Sequence, residues 1–205
     1  MPKYYELFLK RPENHPTVVQ VFIWRVLVDK IFDRFRWAGR ASKGFDTLWD
    51  NLFYKRSRDP KMTHTAIQKL HAWRATTTGL VCESLTDEDV AYDLCEKENI
   101  MYGIHTVLDP LFNETYDAEL ANLLDEAIKL DKVISSQAAM VSWKFNKPPS
   151  EKLPGKPALL NMEEMVVVCP AMIKRGKSNG EDFDDESVLL PRIEGFCKVG
   201  REREI

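Results

Sequence analysis

Residues 16–38, PTVVQVFIWRVLVDKIFDRFRWA, carry the pattern on which the reading of the fold turns. Trp24, Leu27, Val28, Ile31 and Phe35 recur at intervals of three and four, which lays them along one stripe of a 3.6-residue helix. Pro16 suits the first turn of such a helix, where a missing N–H costs nothing. Gly39 is placed to close it as a C-terminal cap, and Gly44 marks the next loop. The longest apolar stretch, Val18 to Val28, is broken by Gln20 and Arg25 and falls short of the roughly 20 residues that span a bilayer. The pattern therefore predicts a helix over 16–38 that packs in a protein core.

Outward from this element the same period repeats. Phe45, Leu48, Trp49, Leu52 and Phe53 predict a second helix that stops by Asp59-Pro60, since the residue before proline avoids the helical region. Ile67, Leu70, Trp73, Thr77, Leu80 and Val81 predict a third helix from near Pro60, with a bend at the run Thr76-Thr77-Thr78-Gly79. Thr86 followed by Asp89 resembles a capping box and opens a fourth helix that extends to about Met101. Asp117 to Ile134 gives a fifth, with Leu120, Leu123, Leu124, Ala127 and Ile128 inward.

After Ser135 the texture changes. Residues 137–145 suit either a helical extension or a strand, and periodicity does not separate the two. Residues 146–161, with four prolines and a glycine, read as a linker or a surface arm. Met165 to Cys169 then forms a β-branched run ended by Pro170, and Ser187 to Ile193 a second apolar run. Ser178-Asn179-Gly180 supplies turn chemistry between them, so the two runs are expected to pair as a hairpin. Pro191 confines the second run to a sheet edge or an extended segment. The expected fold is mainly α: a multi-helix bundle over residues 1–145, the linker at 146–161, and a small C-terminal β-hairpin-like appendage over 162–205 packed on it.

The chain has 205 residues, enough for one sizeable domain. With 44% hydrophobic and 30% charged residues it has the make-up of a globular protein with a packed core. Its first residues lack the apolar segment and small-residue site of a secretory signal, which predicts an intracellular protein, cytoplasmic or nuclear, with no membrane association. Four cysteines spaced 13, 74 and 28 apart suggest reduced thiols, neither a zinc site nor a disulfide scaffold. The net charge of −3 hides a lopsided distribution: residues 1–80 hold 15 Lys/Arg against 7 Asp/Glu, and residues 81–160 hold 7 against 15. Such halves either attract each other within one fold or present the basic half to nucleic acid.

Motifs for chemistry are sparse. Gly176-Lys177-Ser178 imitates the end of a phosphate-binding loop, but Ala171 stands at the first glycine position and five acids follow where phosphate must bind. The acidic run Glu181 to Glu186 lacks calcium-loop spacing. His64 and His71 stand about 10 Å apart along a helix, too far to grip one metal. No catalytic residue, metal site or cofactor is therefore expected. Trp24-Arg25 and Trp73-Arg74 read as a core tryptophan beside an arginine whose stem lies over the core edge. Arg34 to Arg40 interleaves cations with aromatics, as single-strand nucleic-acid binders do, and Lys55, Arg56, Arg58 and Lys61 add a second basic cluster. Within a helix, however, Arg25/Asp29, Lys30/Asp33 and Asp33/Arg36 would form surface pairs.

Three stretches, FIWRVLVDKIFDRFRWAGR (22–40), HAWRATT (71–77) and VVVCPAMIKRGKSNGEDFDDESVLL (166–190), resemble uncharacterised proteins of filamentous fungi. In those a Trp-Arg pair begins a helix-rich region, a second Trp-Arg precedes threonine, and a valine-rich strand, proline, Lys-Arg-Gly and an acidic stretch follow. The resemblance implies a source and brings no activity or site residue with it. The expected function is a non-enzymatic scaffold that binds a protein partner or itself. Its contact residues are expected at Arg36, Trp37 and Arg40 and at Lys174, Arg175 and Lys177, the last three on a turn that exposes its charged tips. The alternative is nucleic-acid binding by the first 80 residues.

Overall fold

The computed structural model describes residues 11–54, 63–111, 116–145 and 163–198. Five α-helices precede five short strands: α1 (His15–Lys30), α2 (Ser42–Trp49), α3 (His64–Ser84), α4 (Asp87–Leu108), α5 (Asp117–Ser135), β1 (Met140–Lys144), β2 (Glu163–Cys169), β3 (Ala171–Arg175), β4 (Glu186–Leu190) and β5 (Ile193–Lys198). The mainly helical class with a small C-terminal antiparallel strand set is the one expected from the sequence.

The capping box that opens α4 is present in full. Thr86 Oγ1 accepts the Asp89 N–H and Asp89 Oδ2 accepts the Thr86 N–H, satisfying donors that the first helical turn leaves over. The helix runs past Met101 to Leu108, because Ile104 and Leu108 continue its buried face. α3 is unbroken through Thr76–Gly79, where the hydroxyls of Thr76 and Thr77 bond back to Ala72 O and Trp73 O. α2 ends in a wide turn at Asp50–Tyr54; the expected stop at Asp59-Pro60, the basic cluster at 55–61 and the linker at 146–161 lie outside the described residues.

Two expectations are corrected. The helix predicted over 16–38 ends at Lys30, and residues 31–38 form an irregular turn in which Asp33 (φ 60°) and Phe35 (φ 52°) adopt the left-handed conformation. Ile31, Phe32, Phe35, Trp37 and Ala38 are all buried. Positions 31, 32, 35, 37 and 38 span more than one helical face, so the chain unwinds to bury them together. With the helix ended, Asp29 meets Lys30, and Arg34 meets Asp46 and Asp50. Gly39 does take positive φ (58°), but it closes this turn and not a helix.

The expected hairpin is also rearranged. The turn near Ser178–Gly180 joins β3 to β4, while β2 pairs with β5, so the two apolar runs meet only at their ends, Cys169 opposite Ile193. The order β1-β3-β4 makes a three-stranded antiparallel sheet whose first strand lies directly after the helical region, and β2-β5 a separate two-stranded ribbon. Pro170 ends β2 and Pro191 ends the edge strand β4.

The core has two main clusters. Leu27, Ile31 and Phe32 meet Ile104 and Leu108 of α4 and Leu120, Leu124 and Ala127 of α5. Phe35, Trp37, Ala38, Phe45 and Trp49 form the second, against Leu70 and Trp73 of α3. The strands pack on the helices through Trp143 of β1, which stacks on Phe32 at 4.3 Å and lies 5.6 Å from Trp24. At Gly195 a Cβ would meet Val168 Cγ2 at 2.6 Å and Thr17 Cγ2 at 3.3 Å, so glycine there lets the β2-β5 ribbon approach α1 closely.

Candidate functional site

Arg36, Trp37 and Arg40 lie on one segment whose polar groups are directed at the protein itself. Trp37 is 4% exposed and its indole N–H donates to Asp131 Oδ2 at 3.1 Å, so the expectation of a surface tryptophan is corrected: the unwinding after Lys30 turns the ring inward. Arg36 donates through Nη1 to Glu96 Oε2 at 2.8 Å and through Nε to Lys30 O at 3.0 Å. Arg40 is exposed but pairs with Asp89 Oδ1 at 3.1 Å and Glu88 Oε2 at 2.8 Å. The Gly39 N–H adds a bond to Asp93 Oδ1 at 3.0 Å. This basic segment is thereby clamped onto the acidic start of α4. Hydrogen bonds from the Thr86 hydroxyl and from the Arg40 and Thr86 N–H groups hold the Asp89 carboxyl well below the usual range. Burial pushes that of Asp93 up to about 6 against the Gly39 bond.

The second group of expected residues surrounds the β3–β4 turn. Lys174 Nζ donates to Ser178 Oγ at 2.8 Å, Arg175 Nη2 lies 3.4 Å from Glu186 Oε2, and the exposed Lys177 pairs with Asp182 Oδ2 at 2.6 Å. Gly176 (φ 78°), Asp182 (φ 49°) and Gly180 (φ 89°) shape the loop. Backbone bonds from Gly176 N to Asp185 O and from Lys177 N to Glu181 O close it. Phe183 is its buried anchor, 5.9 Å from the ring of His71, and Gln68 Nε2 donates to Gly180 O at 2.6 Å. The two groups of expected residues are thus not brought together in one surface.

Beside this turn lies β4, with all five residues exposed at the edge of its sheet. Val188 is 62%, Leu189 47% and Leu190 42% exposed, and the neighbouring Ile193 is exposed too. Leu189 has no partner residue on β3, because a bulge separates the pairs Met172/Leu190 and Ile173/Val188.

Three buried polar residues escaped the sequence reading. Arg74 was expected at the core edge with Trp73 inside; Arg74 is instead fully buried and Trp73 half-buried. Its Nη2 donates to Ile134 O (3.2 Å), Gln137 O (3.3 Å) and Ala139 O (3.0 Å), the carbonyls left at the end of α5 and in the bend that follows, and Nη1 lies 3.4 Å from Asp33 Oδ1. Asp131 is also fully buried, and its Oδ1 accepts the Asp33 N–H at 2.9 Å. His71 is enclosed by Trp49, Phe53 and Phe183, and neither ring nitrogen has a hydrogen-bond partner among the described residues. Burial first, and the Arg74 charge second, push its pKa down to about 2, so the ring is neutral. A sequence signal existed for two of them: Arg74 follows Leu70 by four and Ile67 by seven, and Asp131 follows Leu124 by seven, so both charges sit on apolar stripes.

Cys82, Cys95 and Cys169 are free thiols. Among the described residues no group of three or more His, Cys, Asp or Glu is placed to hold a metal ion, and no helix is long and apolar enough to cross a membrane. Compared with protein-family models, curated proteins and solved structures, the chain finds no match in any of the three.

Proposed function

We propose that the protein is a non-enzymatic, intracellular scaffold acting through protein–protein contacts, made at the outer edge of β4 with the end of β3 that carries Lys174 and Arg175 and the adjoining turn that carries Lys177. The observation that carries this reading is the exposed run Val188-Leu189-Leu190 on a strand that, among the described residues, is paired along one side only. An edge strand offers a row of N–H and C=O groups to another strand, and proteins commonly protect such edges with charge. The charge at the start of β4, Glu186, is partnered by Arg175 and lies 3.6 Å from Lys144, which lowers the repulsion an approaching strand meets. Such an edge fits an extended strand of another protein or of a second copy of the chain.

The alternative, nucleic-acid binding by the first 80 residues, draws on Arg34, Arg36 and Arg40, whose guanidinium groups are bound to carboxylates of the same chain. Light scattering after size exclusion, at low and high salt, tests the proposal. Association is expected to persist at high salt and to be lost in the double variant Val188→Lys, Leu189→Lys. A wild type that stays monomeric at its highest soluble concentration and cross-links to no protein overturns it. Steeply salt-dependent binding to RNA or DNA would transfer the reading to the alternative.

A further inference from the structure

Asn179 stands directly before Gly180 in the turn between β3 and β4, and no other asparagine of the chain precedes a glycine. The asparagine is exposed, and its Oδ1 accepts the Glu181 N–H at 3.1 Å. Gly180 has positive φ (89°), and its N–H donates to Lys177 O at 2.9 Å. We propose that Asn179 is a modification site: its side-chain amide is lost spontaneously through a succinimide ring, which leaves aspartate and isoaspartate in its place.

The chemistry needs only the chain and water. The backbone nitrogen of Gly180 gives up its proton to water or hydroxide and attacks Asn179 Cγ. The new N–Cγ bond closes a five-membered ring, the Cγ–Nδ2 bond breaks, and ammonia leaves with a proton from solvent. Water then opens the ring at one of its two carbonyls. Opening at Cγ restores the main chain and leaves aspartate. Opening at the main-chain carbonyl carbon of Asn179 leaves the chain running through Cγ, which is isoaspartate. Glycine suits the attacking position because it has no Cβ to crowd the nitrogen or to limit the backbone as the ring closes.

The fold acts on this step in two opposed ways. The Glu181 N–H lies on Oδ1, the oxygen that becomes negative when nitrogen adds to Cγ, and a donor so placed stabilises an oxyanion. The Gly180 N–H, by contrast, is held by Lys177 O, and that bond breaks before the attack. Lys177 N to Glu181 O at 2.8 Å, Ala138 N to Ser178 O at 2.9 Å and Gln68 Nε2 to Gly180 O at 2.6 Å hold the same turn. Ring closure therefore follows a local opening of the turn, and exposed turns are where opening costs least. Isoaspartate lengthens the main chain by a carbon, so these bonds do not re-form in their original register. Either product also sets a carboxylate beside Lys177. Its effect on the contact surface rests on the β4 reading; the loss of the amide does not.

Peptide mapping by mass spectrometry, on the folded full chain incubated at mildly alkaline pH, tests the site. Asn179 is expected to exchange its amide for a carboxyl ahead of every other asparagine, and faster as the pH rises, because the Gly180 nitrogen attacks only after losing its proton. The same samples are expected to accept methyl groups from S-adenosylmethionine through an isoaspartate-specific methyltransferase. In Asn179→Gln, whose amide stands one carbon too far for the five-membered ring, that methylation should be lost. A folded chain whose Asn179 keeps its amide, another asparagine that reacts first, or methylation that survives in Asn179→Gln overturns the proposal. Should the variant fail to fold, mapping of the wild type decides alone. Light scattering decides the β4 reading separately, so either conclusion can fail without the other.

Discussion

Arg74 serves as a structural bolt because its guanidinium is always charged and presents several N–H donors in a fixed plane. Three carbonyls and one carboxylate take up those donors around the end of α5. Arg74→Leu removes all of them, so urea unfolding should show a loss of about 3–5 kcal/mol. Arg74→Lys should recover only part of this, since an ammonium cannot reproduce the planar fork. His71 and Asp131 pull the pH dependence of stability in opposite directions. His71 has a folded pKa depressed from 6.5 to about 2, so its contribution is present above 6.5 and is lost as the pH falls toward 2. Asp131 has a folded pKa raised from 3.8 to about 7, so its contribution is present below 3.8 and is lost as the pH rises toward 7. The two slopes oppose each other between 3.8 and 6.5. His71→Leu should unmask the second. Its stability should then fall with rising pH across that window by about 1.4 kcal/mol per pH unit for each proton released, measured by unfolding at a series of pH values.

At the scale of elements, local chemistry was legible wherever the deciding contacts lie within a few residues. Thr86 and Asp89 cap α4 as their spacing predicts, and Thr86→Ala should cost about 1 kcal/mol in thermal unfolding. The inward positions Leu120, Leu124 and Ala127 of α5 are buried as read, although Leu123 faces solvent. The end of α1 was not legible, because the group that captures the Asp33 N–H lies 98 residues away in sequence. The pairing of β2 with β5 was hidden for a related reason: β3, β4 and their turn intervene, and a short apolar run does not name its partner. Of the expected contact residues, chemical type was readable and direction was not. Trp37 turns inward only because the helix it was assigned to stops at Lys30. Gly39 was legible as special but not in its surroundings, where a Cβ would lie 2.7 Å from Asp89 Oδ1. Gly39→Ala combines that clash with strain at positive φ and should cost about 2 kcal/mol, visible as a lowered Tm.

Across the whole molecule, the opposed charges of the two halves meet, at least in part, inside the fold: Arg36 with Glu96, Arg40 with Asp89 and Glu88. These pairs are partly or largely exposed, so each contributes little and weakens in salt. Raising the salt should accordingly change the unfolding midpoint far less than Arg74→Leu does, which a pair of denaturant titrations checks.

The hydrogen bond from Asp33 to Asp131 also bears on how the chain reaches its native state. Contacts so distant along the polypeptide carry a high loop-closure entropy and slow the search for the folded form. During synthesis the segment after α1 leaves the ribosome well before its acceptor exists. Until α5 emerges, the Asp33 N–H and the Trp37 indole lack the Asp131 acceptor, so this turn waits for the second half of the sequence while Phe35 and Trp37 gather only their partners on α2 and α3.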